Sequence, residues 1–365
     1  MKVAMVFPTR ESEKAISGYS ITLTENIRKT GQNIEDFTYD AGNSRTLFKK
    51  LSQLKKHDVV HIQHEYSLLG GFGLPFFILY FYLWINKIKT ITTMHTVLSQ
   101  NENFKSGPIK TFLRKILYLT QNRVIGNVSE RIIIHANFFK DILVSGYNVS
   151  KKKILIIPQG IIERIPKYNK NKIKKELNLS GPVYLFMGSM VPDHGHDIII
   201  NQAKEVGKTI LVVTNPESVN DRNSKRTMEY LKQNQEYVKK NNLSKFVRFD
   251  ISNINDKNIL WWKYFVAADL VLLPYRGGIG SGIFAHAMAA KRPVIASNIQ
   301  FFNEIAMKSD CIKTAPKDSE YPRLIKEAMN PKNYKKMKNG CEKYLKKYGL
   351  SVLGKKYKKI YLSLK

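Results

Sequence analysis

Residues 61–73 read HIQHEYSLLGGFG, an apolar run ending in His64, Glu65 and Tyr66 ahead of the Gly70–Gly71 pair. Ionisable groups are seldom buried without partners, so this cluster, with His61 at its start, suits substrate recognition or proton transfer. A second run closes as TMHTV, residues 93–97, and supplies His95. An imidazole there could donate to a sugar hydroxyl or a phosphate oxygen, or shuttle a proton. The plainer reading of a single histidine is a satisfied core residue. Metal binding ranks below recognition, because no second carboxylate or histidine stands at ligand spacing.

Three further loops combine glycine with groups that suit an anion. Gly18, in PTRESEKAISGYSITL (residues 8–23), opens a helical pattern where backbone can approach a phosphate or sugar. LFMGSMVPDHGHDIII (185–200) places Ser189, Asp193, His194 and His196 before another helix. LPYRGGIGSGIFAHAMAAKRPVIAS (273–297) turns tightly on Gly277, Gly278 and Gly280. There Ser281 can cap a helix while the amides of Ser281, Gly282 and Ile283 point at a ligand. Tyr275 could stack on a base and Arg276 could pair with phosphate. Glu304, beyond the next strand, joins this donor-side set. Each loop alone also reads as an ordinary cap or turn; several at equivalent strand ends make a stronger signal.

These loops need strands to hold them. Short, nearly continuous apolar runs lie at residues 3–7, 59–64, 90–95, 131–136 and 153–160, with helical patterns between. The scheme repeats at 182–188, 209–214, 245–250, 270–275 and 293–297. Such runs suit parallel strands covered on both faces, so the fold class is α/β with two doubly wound, Rossmann-like sheets. Residues 162–181 are polar and basic without a strand period, which puts the boundary between domains 1–165 and 166–349.

The chain of 365 residues carries 60 Lys and Arg against 29 Asp and Glu, a formal net charge of +31. That surface favours phosphate-rich partners, although lysine-decorated solvated faces explain it equally well. No nucleic-acid motif accompanies the charge, so no specific nucleic acid is expected. Two unpaired cysteines fit a reducing, cytoplasmic setting without structural zinc. The start MKVAMVF reads as a strand rather than a signal peptide. LPFFILYFYLWI, residues 74–85, falls short of the roughly 20 residues that span a bilayer. It reads as a core helix or as a membrane-surface helix.

In order and spacing, SGYSITL, TMHT, IIIHANFFKDIL, KILIIPQGI, FMGSMVPDHGHDIII, AADLVLLPY and HAMAAKRPVIASN resemble the GT-B glycosyltransferases of family 4. The HIQHEYSLLGGFG and GSGIF segments resemble a subgroup with a His-Glu-Tyr loop and a Ser-Gly loop. The resemblance implies two Rossmann-like domains facing a cleft, with a C-terminal helix, about 350–365, crossing back to the first. It implies a nucleotide-sugar donor (UDP- or GDP-linked) bound by the second domain and transferred with retention to a glycan or lipid-linked acceptor. No metal and no other cofactor is implied; a peripheral place on an anionic membrane surface suits such acceptors. Carried over by position, Gly18 faces the donor diphosphate and His95 lies near the transferred sugar, with His64 and Glu65 beside the acceptor. The family's usual diphosphate Arg and Lys match Ser189 and His194 here, and its two glutamates match Gly278 and His286. Those four departures motivate an alternative: a catalytically silent homologue that binds nucleotide sugar and supports a partner.

Overall fold

The computed structural model describes residues 1–13, 15–66, 68–102, 104, 107–214, 221–251, 258–278 and 280–364. The chain forms two compact units, Met1–Gly160 with Leu350–Lys365, and Ile161–Gly349. The break falls at residues 160 and 161, a little before the expected boundary. The basic stretch after it forms the helix Lys170–Glu176. Its Lys170 and Lys174 pair with Asp269 at 2.5 and 2.8 Å, which anchors the segment to the second unit.

The first unit is built on a parallel sheet of β1 (Lys2–Pro8), β2 (Asn33–Tyr39), β3 (Val59–His64), β4 (Lys89–Met94), β5 (Arg131–Ile134) and β6 (Ile154–Ile156). Its order is β2-β1-β3-β4-β5-β6. β3 is buried throughout, as expected of a strand covered on both faces. β2 was not among the expected strands. It is an edge strand, NIEDFTY, whose exposed polar positions break the apolar run.

The C-terminal helix Leu350–Leu362 belongs to this unit and packs on the helix Ala15–Arg28. Contact there is close: a Cβ on Gly354 would lie 2.7 Å from the Asn26 carbonyl oxygen.

The second unit has β7 (Val183–Met187), β8 (Thr209–Thr214), β9 (Val247–Ile251), β10 (Leu270–Leu273), β11 (Val294–Ser297) and β12 (Ile312–Ala315). The order β12-β11-β10-β7-β8-β9 places β7 beside β10, so successive strands leave in opposite directions from that pair. A parallel sheet of this order has its switch point there, and ligands bind outside the carboxyl ends of the strands at such a point. In the first sheet the equivalent point lies between β1 and β3. β12, another edge strand, was also missed from sequence; only four residues long, it reads IKTA and carries a lysine. The second core gathers Ile199, Ile210, Val212, Leu270, Leu272 and Tyr321 between sheet and helices.

Candidate active site

At the switch point of the second sheet, β7 runs into Gly188 and Ser189, and β10 into Tyr275 and Arg276. Gly188 has φ 127°, so the chain leaves β7 by a turn that favours glycine. His194 Nδ1 donates to the Ser189 carbonyl at 2.7 Å and closes the loop after β7. Burial lowers the His194 pKa, so the ring is neutral near pH 7 and supplies no replacement for a lysine charge.

Ser281 caps the helix Gly282–Ala289, its Oγ accepting from the Phe284 amide at 3.1 Å. The amides of Gly282 and Ile283 belong to the first turn, which has no intrahelical carbonyls to receive them. Gly282 is exposed, so a ligand oxygen can reach this end. A capped helix start with an exposed first turn is a geometry that can receive an anion.

Two expected donor contacts take other roles. Tyr275 is buried, stacked on His194 with ring centroids 4.7 Å apart, and its hydroxyl lies 3.2 Å from Ser281 Oγ. Burial pushes its pKa up to about 12. The ring therefore forms the wall of the site and has no open face for a base. Arg276 is committed to Asp197 in a two-point pair at 2.9 and 2.5 Å, and also donates to the Pro192 carbonyl at 2.6 Å. Its charge is balanced within the protein, and it ties the loop after β10 to the loop after β7. Asp197 was not singled out from sequence, because its partner lies 79 residues away. Glu304 sits on the helix Gln300–Ala306, its carboxylate 3.9 Å from Lys308. His286, at a position where the family carries a glutamate, packs edge-on against Trp261 and Trp262.

In the first unit the helix Ala15–Arg28 begins before Gly18, and its N-terminal amides are occupied. Glu13 accepts from the amides of Ala15, Ile16 and Ser17 at 2.8, 2.7 and 3.1 Å. Gly18 therefore does not open a bare anion site; a Cβ there would meet the Arg10 guanidinium at 3.9 Å. Sequence reading passed over Glu13, although a carboxylate just ahead of a helix is a recognisable capping signal.

His61 is a satisfied core residue, bonded to Tyr361 and Thr93 at 2.8 Å each, and burial lowers its pKa to about 3. His64 is buried edge-on to Tyr66 and Phe76, and burial lowers its pKa to about 3 as well. Its Nε2 is buried without a hydrogen-bond partner among the described residues, and it lines one cavity with Glu65.

His95 Nε2 donates to Gln63 Oε1 at 2.9 Å, and its Nδ1 stands 3.4 Å from His135 Nε2. His135 gives its own Nδ1 proton to the Ile157 carbonyl at 2.8 Å. In the neutral forms fixed by those two acceptors, lone pairs face each other, and one added proton would bridge the rings. Burial and the neighbouring His135, His64 and His61 oppose that proton, holding His95 well below the usual imidazole range. Both His95 nitrogens thus face protein atoms, which corrects its expected direct contact with sugar. His135 was present in the IIIHANFF segment, but no spacing in the sequence linked it to His95.

Glu65 keeps chemical potential. Thr96 Oγ1 donates to its Oε2 at 2.5 Å and the Tyr66 amide to its Oε1 at 2.9 Å. Burial raises its pKa above the usual range against those bonds, with Glu13 adding to the effect. A carboxyl tuned upward at a strand end is suited to giving or taking a proton. Among the described residues no cluster of three metal-ligating side chains occurs.

Residues 2–163 match the family model of Glycosyltransferase Family 4. The first unit thus carries a Glycosyltransferase Family 4 domain. The architecture of the chain is GT-B, as three solved structures show. Anabaena HepE in complex with UDP superposes at TM-score 0.72 with 12% identity, covering 100% of both chains. Sucrose-phosphate synthase from Thermosynechococcus elongatus gives 0.73 with 15% identity, covering 100% of this chain and 99% of that one. WaaG, a glycosyltransferase involved in lipopolysaccharide biosynthesis, gives 0.66 with 14% identity, covering 98% and 99%. No curated protein matches the chain in sequence. Identities this low carry the fold and leave donor and acceptor open.

Proposed function

We propose that this glycosyltransferase takes a hexosyl group from a UDP- or GDP-linked sugar and passes it, with retention at the anomeric carbon, to a glycan or lipid-linked acceptor. The observation that carries the donor side is the Ser281-capped helix start beside Ser189 and His194, at the β7/β10 switch point. The bond from the sugar's anomeric carbon to the diphosphate oxygen breaks, and a bond to an acceptor oxygen forms. Negative charge grows on the leaving diphosphate, where the Gly282 and Ile283 amides and the Ser189 loop would hold it. Arg276 acts as a positioning residue through Asp197 and the Pro192 carbonyl, and Glu304 remains a donor-side candidate. On the acceptor side Glu65 is the proposed proton carrier, with His95 and His64 supporting the loop from beneath. UDP is favoured because structures of the HepE neighbour contain UDP and UDP-glucose. No metal is assigned to the reaction. The proposed location is the cytoplasm, at the cytoplasmic membrane face where lipid-linked acceptors lie.

A thermal-shift panel of UDP-, GDP- and ADP-sugars followed by mass-spectrometric transfer assays tests this reading. Stabilisation by one donor class, with transfer or slow donor hydrolysis, is expected. Donor binding without turnover on any acceptor would leave only the silent-homologue reading.

A further inference from the structure

The helix Leu74–Ile85 is two-sided in a way its composition conceals. Pro75, Phe76, Leu79, Tyr80 and Leu83 are buried, yet the opposite side is equally apolar and lies in solvent. Leu74, Ile78, Phe81, Trp84 and Ile85 are each more than half exposed. Their spacing of four, three and four residues puts Leu74, Ile78, Phe81 and Ile85 on one stripe. Beside it packs the helix Pro108–Val128, which repeats the pattern: Ile109, Phe112, Leu113 and Ile116 are also more than half exposed. Together these helices hold nine of the sixteen large exposed apolar side chains among the described residues; the others are scattered. An exposed patch of this kind on a folded unit marks a docking surface.

Charge identifies the occupant. Between Glu65 and Glu130 the sequence has one acidic residue, Glu102, against seven Lys and Arg. Lys110 and Arg114 are exposed on the second helix, and Lys87 and Lys89 follow the first. A second copy would bring the same cations against them. An anionic bilayer offers both apolar depth for Phe and Trp and phosphate for the lysines. No helix among the described residues is long and apolar enough to cross a membrane, so the two helices would lie in its surface.

We propose that the paired apolar faces of Leu74–Ile85 and Pro108–Val128 dock this unit on an anionic lipid bilayer. The proposal deepens the reading of a lipid-linked acceptor but stands on its own observations. It gives the second helix, which sequence reading did not connect with membranes, an equal share of the surface.

The test is flotation of the full chain with phosphatidylglycerol/phosphatidylcholine vesicles and with pure phosphatidylcholine. Wild type is expected to prefer the anionic vesicles and to weaken with salt. The double variants Phe81→Glu/Trp84→Glu and Phe112→Glu/Leu113→Glu are each expected to lower binding at least about tenfold. All four side chains are solvent-exposed, so thermal melting and nucleotide-induced stabilisation should match wild type. Three results would overturn the surface: no preference for anionic lipid, binding untouched by either variant, or a self-associated chain that the variants split without any lipid binding. Nucleotide stabilisation is read in the same samples. Failure of the wild type to prefer anionic lipid, with that signal intact, therefore sinks the surface and spares the transferase reading.

Discussion

Gly195 offers a direct measure of how the donor loops are held together. It adopts φ 69°, and a Cβ there would stand 2.0 Å from the Pro274 carbonyl oxygen and 2.9 Å from Ile198 Cδ1. Pro274 follows β10 and Gly195 lies in the loop after β7, so the contact joins both sides of the switch point. Gly207 supplies an internal control, with φ 65° and no atom nearer than 3.7 Å to its added Cβ. Gly207→Ala therefore meets only left-handed backbone strain, about 1 kcal/mol. Gly195→Ala meets the same strain plus a backbone collision, which adds about 1–3 kcal/mol because loops must part. A gap of that size between the two variants is expected in denaturant unfolding. Separation of the loops would also move Ser189 and His194 from Tyr275, so donor affinity should fall in Gly195→Ala and hold in Gly207→Ala. Equal destabilisation by the two variants would refute the claim that this close approach sets the site.

Two other perturbations test the same physics. Ser281→Ala removes the helix cap and leaves the buried Tyr275 hydroxyl without its neighbour; a loss of about 1–3 kcal/mol in unfolding and weaker nucleotide stabilisation are expected. Unchanged donor binding would remove this helix start from the site. Acid should unfold the first unit early. The pKa values of His61 and His64 fall to about 3 on folding, so below the ordinary imidazole value of 6.5 the unfolded chain binds protons that the folded one refuses. Stability therefore falls as pH drops from about 6.5 toward 4, by about 1.4 kcal/mol per pH unit for each of these histidines. His95 and His135 act in the same direction, while the raised carboxyl of Glu65 opposes them. A flat stability profile between pH 6.5 and 5 in urea titrations would contradict the neutral, buried assignment.

The alternation of buried runs with helical patterns determined the two parallel sheets, since parallel strands covered on both faces must be apolar along their length. It also located the loops that end those strands, and the capping chemistry of Ser281 was legible because a cap is local. Edge strands β2 and β12 escaped because one open side lets polar residues interrupt the pattern. The sequence could not say which groups in each loop were free. Arg276 is matched by Asp197, the helix at Gly18 by Glu13, and His95 by Gln63 and His135. Most of those partners arrive from other strands and loops. Only the tertiary structure decides such pairings, because a hydrogen bond depends on distance and direction in space and leaves no period along the chain. For the same reason the apolar helix at residues 74–85 reads from sequence first as core, with a membrane surface as the alternative. Its neighbours in space bury one side and leave the other in water.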